Sequence, residues 1–291
     1  MPPRACRLLM LAVALAPACA HGQWRPDLGA SFLYDDNLSR AQVSADIVSD
    51  FAAAARAGIG RAFDAGERGD FTLAFDVSAV RYFRFEGASV ASLGVSAGYR
   101  RKLGLGLTAP RVSAEAWLAE ESSPEAVRDG SRGGASATLS KRFDERLEGS
   151  LGFAYEKRVQ RHDAPVVPGI AGDPFSLQSR TLLAKGSYAL GSRSALLASA
   201  AAREGDVVSS TRRNAQIFAE SAAIALDPAF GPDYIAYRLS GARTISIGAG
   251  IAYDLSRRAS LEAAVTAYDT RAHGGLDYSE RVVSVSYLYR P

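Results

Sequence analysis

The chain holds three histidines, His21, His162 and His273, and hydrolytic chemistry would have to start from one of them. A serine-type hydrolytic site needs an imidazole beside a hydroxyl, so that the ring can take the hydroxyl proton. His21 stands beside an expected cleavage point, His162 lies in a long Pro/Gly-rich stretch, and His273 is followed by Gly274-Gly275. With no triad motif and no ligand spacing beside them, each reads as a solvated loop histidine, and no catalytic residue is assigned. Asp35-Asp36-Asn37 offers oxygens to a calcium ion but lacks the spaced acidic loop of a recognised site. Asx residues close turns through their own side chains, so no metal is expected there. Gly104-Leu105-Gly106 is a turn signal, since no Gly-Lys-Ser/Thr follows it, and no cofactor is implied.

The remaining chemistry-bearing residues are charges spaced two apart from small neighbours: Asp76, Arg100, Glu115, Glu148, Glu156, Arg158, Lys185 and Glu262. Two readings stay open for them. In one, Glu148, Glu156 and Arg158 pair with Arg100, Lys185 or Glu115 as a structural network that satisfies enclosed charge. In the other, they line a water-filled path and bias which solutes pass.

The elements that position these charges have a period of two, the mark of strands with one apolar and one polar face. From Arg146 to Arg158, Leu147, Gly149, Leu151, Phe153 and Tyr155 share one face, while Glu148, Ser150, Gly152, Ala154, Glu156 and Arg158 share the other. The pattern recurs at Phe71, Leu73, Phe75 and Val77, at Leu93, Val95, Ala97 and Tyr99, at Leu182, Ala184, Gly186 and Tyr188, and at Ile245, Ile247, Ala249, Ile251 and Tyr253. Val283, Val285, Tyr287 and Tyr289 repeat it at the end. No segment of comparable strength has helical spacing.

Connections alternate in length. Short ones fall at 64–69, 104–109, 144–145, 191–193 and 256–258, and mostly longer ones at 36–46, 86–88, 121–130, 160–176, 209–237 and 272–277. Sorting of loops by end is expected of a transmembrane barrel, with short turns on the periplasmic side and long loops outside, and a soluble sandwich has no reason for it. Aromatic rings fit two interfacial belts. Phe63, Phe71, Tyr99, Phe143, Tyr188, Tyr253, Tyr287 and Tyr289 lie near the short-turn end, and Tyr34, Tyr82, Phe83, Phe85, Tyr155, Tyr237, Tyr268 and Tyr278 near the other. A Lys or Arg on the lipid face costs about 2–4 kcal/mol at the midplane, so the eight charges above belong to the lumen.

The 291 residues are 47% hydrophobic and 22% charged, with mean hydropathy −0.04, which excludes a disordered polyelectrolyte and a helical membrane protein. Lys+Arg 34 against Asp+Glu 31 gives +3, and no basic-aromatic cluster supports nucleic-acid binding. Residues 1–20 read as a secretory signal: Arg4 and Arg7, an apolar run over 8–15, and Ala18-Cys19-Ala20 as cleavage site. A rival in which Cys19 is lipidated meets a poor lipobox in Ala16-Pro17-Ala18. Cleavage after Ala20 removes two cations, lowering the net charge to about +1, and removes Cys6 and Cys19, so residues 21–291 would fold without disulfides.

The opening Gly29-Ala30-Ser31-Phe32-Leu33-Tyr34-Asp35-Asp36-Asn37, with Ala41-Gln42 in the following loop, resembles the first strand of uncharacterised proteobacterial outer-membrane porin-like barrels. The closing Asp277-Tyr278-Ser279-Glu280-Arg281-Val282-Val283-Ser284-Val285-Ser286-Tyr287-Leu288-Tyr289-Arg290 resembles their last strand. That resemblance implies recognition by the barrel assembly machinery, although such barrels end on Phe or Trp where this chain ends on Pro291. The expected fold is an all-β, closed, antiparallel transmembrane barrel of about twelve strands in the outer membrane of a Gram-negative bacterium, with membrane lipid as its surroundings.

The 209–237 connection is the least ordinary. Asn214 is placed to cap an amphipathic helix running through Ile217, Phe218, Ser221, Ala222, Ile224 and Ala225 and ended by Pro228. Two readings follow, a segment that packs into the mouth and narrows it, or an external loop with local helix. The expected function is passage of small hydrophilic solutes or part of a surface-polymer export path. The alternatives are a non-conducting barrel that binds a partner through its outer loops, and an outer-membrane hydrolase built on His162 or His273.

Overall fold

A computed structural model describes residues 24–291; the signal segment, Cys6, Cys19 and His21 lie outside the described residues. The strands are β1 (Trp24–Asp35), β2 (Asp50–Asp64), β3 (Gly69–Tyr82), β4 (Val90–Lys102), β5 (Arg111–Ser122), β6 (Gly130–Arg142) and β7 (Leu147–Gln160). They continue as β8 (Leu177–Ala189), β9 (Ser194–Thr211), the short β10 (Ala223–Leu226), β11 (Ile235–Asp254), β12 (Ala259–Ala272) and β13 (Leu276–Tyr289). Each of β1 to β8 pairs antiparallel with its successor, β9 pairs with β11, and β13 pairs back onto β1 at Leu28 and Tyr289. Twelve strands therefore close a barrel, and β10 stands outside the ring of pairs on the upper part of β11. Closure leaves no free edge, which is the condition for placing strands in hydrocarbon.

Period-two alternation decides the faces. Leu118 is 67% exposed, Leu151 and Ile247 66% and Leu182 62%, whereas their sequence neighbours point into the barrel. Apolar rows so fully exposed on adjacent strands are what lipid contact requires. Among the described residues the buried hydrophobic clusters all involve the upper parts of the strands or the long loops, so the wall below encloses no apolar core. Inward positions there are Gly, Ala, Ser and Thr in majority, and space is left because nothing large is present to fill it.

The short turns lie at 65–68, 103–110, 143–146, 190–193 and 255–258, close to expectation. Asp144 shows why one of them is tight: its carboxylate accepts from the amides of Arg146 and Leu147 at 2.7 and 2.8 Å. The long connections all emerge at the opposite end, at 36–49, 83–89, 123–129, 161–176, 212–234 and 273–275.

Two expectations need correction. The 209–237 connection is partly strand, because β9 and β11 run on through Thr211 and from Ile235. Helix α1 (Ala215–Glu220) stops at Ser221, so Ile224 and Ala225 belong to β10 instead, and Pro228 opens a 3-10 turn. The upper aromatic belt is thinner than expected. Tyr34 and Tyr155 sit on outward positions, but Tyr82, Tyr268 and Tyr278 alternate onto the lumen face and Tyr237 is 1% exposed. Phe85 turns to pack on Phe230, ring centroids 5.5 Å apart.

Candidate functional site

The upper halves of β9 and β11 leave the wall. Above Gly205, β9 is no longer in register with β8, and β11 shifts register between Leu239 and Ala242, directly across from Gly205. Gly205 has φ +153° and Gly241 φ +66°. A Cβ on Gly205 would overlap the carbonyl of Gln178, so the bend needs glycine at this point. The ribbon that results, 206–211 with 235–239, crosses the mouth as a lid. Every residue from Val207 to Thr211 is buried, and so are Ala236, Tyr237 and Leu239, so both faces of the ribbon are covered.

Each surrounding loop holds part of this lid. On one side Val207, Tyr237 and Leu239 pack with Ile217, Ile224 and Leu276; on the other Val208 and Ala236 pack with Phe175. Ser210 donates its amide to the carbonyl of Ser39 at 2.9 Å, and Ser209 Oγ donates to the carbonyl of Arg40 at 2.8 Å, which ties the ribbon to the β1–β2 loop. Ile224 donates to the carbonyl of Ala171 at 2.8 Å. Arg212 reaches Asp46 at 2.6 Å, and Arg238 Nη1 reaches the carbonyl of Ser176 at 2.7 Å.

The strongest fastener joins Arg128, in the β5–β6 loop, to Asp227, just past β10. Nε and Nη2 of Arg128 meet the two carboxylate oxygens at 2.9 and 2.7 Å, and the Asp227 side chain is wholly buried. Ser210 Oγ donates to the same carboxylate. The guanidinium lies 4.8 Å from the Phe175 ring and 5.2 Å from the Phe230 ring. A two-pronged pair flanked by two rings is the geometry in which a buried ion pair is held rather than merely tolerated.

Of the residues expected to narrow the mouth, Asn214 caps α1 through Gln216 and Ile217, and Ile217 and Ile224 are buried in the lid cluster. Phe218 is 41% exposed and has no part in that cluster. The segment thus fills the mouth, but through β-ribbon and β10 as much as through helix.

Beneath the lid, Arg40 hangs from the β1–β2 loop with φ 54°, its Nε 3.4 Å from Glu280. The Glu280 carboxylate raises the already high pKa of this guanidinium, so it stays charged. Asp35-Asp36-Asn37 closes its turn as an Asx motif, the Asn37 amide donating to Asp35 Oδ1 at 2.9 Å. Asn37 Nδ2 then donates to the carbonyls of Ala41 and Ser279, pinning the loop to β13.

All eight expected lumen residues occupy inward positions of their strands. They do not pair as the network reading had it. Four of them meet nearby charges instead: on adjoining strands Glu148 reaches Arg142 at 3.6 Å, Arg100 reaches Asp70 at 3.0 Å and Glu156 reaches Arg132 at 4.0 Å, while Arg158 of β7 reaches past β6 to Glu121 of β5 at 2.7 Å. Arg132 also lies 3.1 Å from Glu121, within ion-pair reach although its Nε–H makes no aligned hydrogen bond. Glu121, at the start of an expected loop, is instead the penultimate residue of β5 and bridges two arginines, which only strand register could show. Glu148, Lys185 and Glu262 share a cavity of about 440 Å³ in the lower lumen, with Ser150, Ser187, Ser199 and Thr266 in its wall. Asp76 lies along Gly94 of β4, and a Cβ there would come within 2.9 Å of Oδ1. Glu115 is exposed to the lumen, opposite Ser136.

His162 and His273 stand in different loops, β7–β8 and β12–β13, with His273 Nε2 close to Gly241. The arrangement described is a polar chamber under a bolted lid. Among solved structures the chain is similar to an outer-membrane channel from Pseudomonas putida F1, with a TM-score of 0.57 and 10% identity over 92% of this chain and 96% of that one. It has the closed antiparallel fold of an outer-membrane β-barrel. The NanC porin aligns less well, at a TM-score of 0.46 and 8% identity over 90% of this chain and 98% of that one. No family model and no curated protein matches the sequence.

Proposed function

We propose that this chain is a gated outer-membrane channel of a Gram-negative bacterium, exported by a cleaved signal segment, that passes small hydrophilic solutes. The observation that carries the reading is the contrast between the two halves of the lumen. Below, small and charged side chains surround a cavity of about 440 Å³, and no apolar core forms there among the described residues. Above, a ribbon hinged at two glycines is fastened by polar bonds that can exchange partners with water. A barrel that served only as a wall would gain more by filling its lower lumen with apolar side chains.

The closed mouth gives the second reading its support: a non-conducting barrel presenting its loops to a partner. Single-channel recording in planar bilayers separates the two. The channel reading expects brief, infrequent openings from the natural chain and long ones once the lid is unfastened. Silence from both natural and unfastened chains, with folded barrels verified by anomalous migration of unboiled samples, favours the partner-binding reading.

A further inference from the structure

We propose that the lipid-facing surface of β1–β3 at the periplasmic end binds the phosphate of an anionic phospholipid headgroup, with Arg61 as its cation. The proposal rests on the outer-membrane reading above. Arg61 shares the outward face of β2 with Ile59 and Phe63, with three residue pairs between it and the short turn, near the depth where headgroups lie. Its guanidinium sits 5.0 Å from the Phe63 ring centroid. Across the strands it is in register with Trp24 and Leu73, and Phe63 lies beside Phe71 with centroids 6.3 Å apart. The Arg61 Nε–H is buried and has no hydrogen-bond partner among the described residues.

Strand carboxylates are lacking from the lipid face at this end, whereas the opposite end carries several. Around the periplasmic rim of the wall the lipid face carries Arg61, Arg101 and Lys141, the last 5.6 Å from the Phe143 ring. Alternation places Asp70, Glu148 and Asp254 on the lumen side, so among the described strand residues no carboxylate shares that belt, and Glu67, Asp144 and Glu145 stand in the turns beyond it. At the opposite end the chain supplies its own: Arg243 is in register with Glu204, Arg271 is in register with Asp277, and Arg161 meets Glu120 at 2.6 Å. An aromatic-backed guanidinium with no strand carboxylate beside it offers its Nη N–H groups to a phosphodiester, whose oxygens accept them. A net-negative headgroup is favoured over a zwitterionic one, because the latter brings an ammonium into an already cationic belt.

Trp24 makes the test direct. The full chain carrying Trp117→Phe, so that Trp24 is its sole tryptophan, is refolded into phosphatidylcholine vesicles containing either brominated phosphatidylglycerol or brominated phosphatidylcholine. We expect the anionic lipid to occupy the Trp24 site about fivefold more strongly, the ratio that one basic residue near an anionic surface supplies, about 1 kcal/mol. High salt and Arg61→Gln are expected to bring the ratio to about one, and Arg61→Lys to retain part of it. Equal quenching by the two lipids in the parent, or a preference that survives Arg61→Gln, overturns the proposal. No quenching by either lipid would show that the chain does not insert, and the outer-membrane reading falls with it.

Discussion

Replacing Arg128 by alanine tests whether the lid is the barrier. The substitution strands the Asp227 carboxylate, wholly buried, with Ser210 as its remaining donor. Breaking a buried pair by removing one partner costs about 3–5 kcal/mol. Loss of the two ring contacts of the guanidinium adds about 0.5–2 kcal/mol. Even about 3 kcal/mol moves the ratio of fastened to released lid more than ~100-fold. The wall is untouched, since its strands are joined all the way round without Arg128. The expected result is long openings in planar bilayers, faster amide exchange over 206–211 and 235–239, and unchanged anomalous migration of the unboiled barrel. Asp227→Ala in the same background should add less than it does alone, giving a coupling of about 2 kcal/mol. Unchanged exchange in Arg128→Ala would refute the fastening; faster exchange without current would refute the lid as the barrier.

Three further outcomes are expected. Gly205→Ala forces a side chain against the carbonyl of Gln178 at φ +153°, costing about 1–3 kcal/mol and raising lid exchange as Arg128→Ala does, which hydrogen exchange will check. Leu151→Lys on the lipid face should lower barrel stability in urea by about 2–4 kcal/mol, whereas Glu115→Lys in the lumen should leave stability nearly unchanged and shift reversal potentials towards anions. The amides of Arg146 and Leu147 hold the Asp144 carboxyl below the usual carboxylate range. A lowered folded pKa stabilises above the unfolded value near 4 and is lost as pH falls through the folded one. Asp144→Ala should therefore reduce the protection of those two amides at pH 7 and make no difference in strong acid.

Alternation was enough to separate lipid from lumen. Leu151 and Glu148 are assigned to opposite faces by parity alone, and the structure agrees because a strand has no other way to turn its side chains. Loop lengths identified which end is which for the same local reason. The partners of Glu148, Glu156 and Arg158 were not legible, since pairing depends on register between strands. That register brings Arg142 beside Glu148, where the sequence reading had set Arg100, Lys185 or Glu115 against these charges.

What the sequence determined by itself is the wall: a period of two, twelve spans, small residues inward, and rings at the short-turn end. Tertiary structure alone decided the lid. Nothing near Gly205 in the chain says that the next residues will leave the sheet, and the bonds that hold them come from Ser39, Arg128 and Ala171, each far away in sequence. The wall's pattern is written residue against next residue, whereas the mouth closes through contacts between distant loops. Such contacts exist only after the barrel has brought its six upper connections to one end.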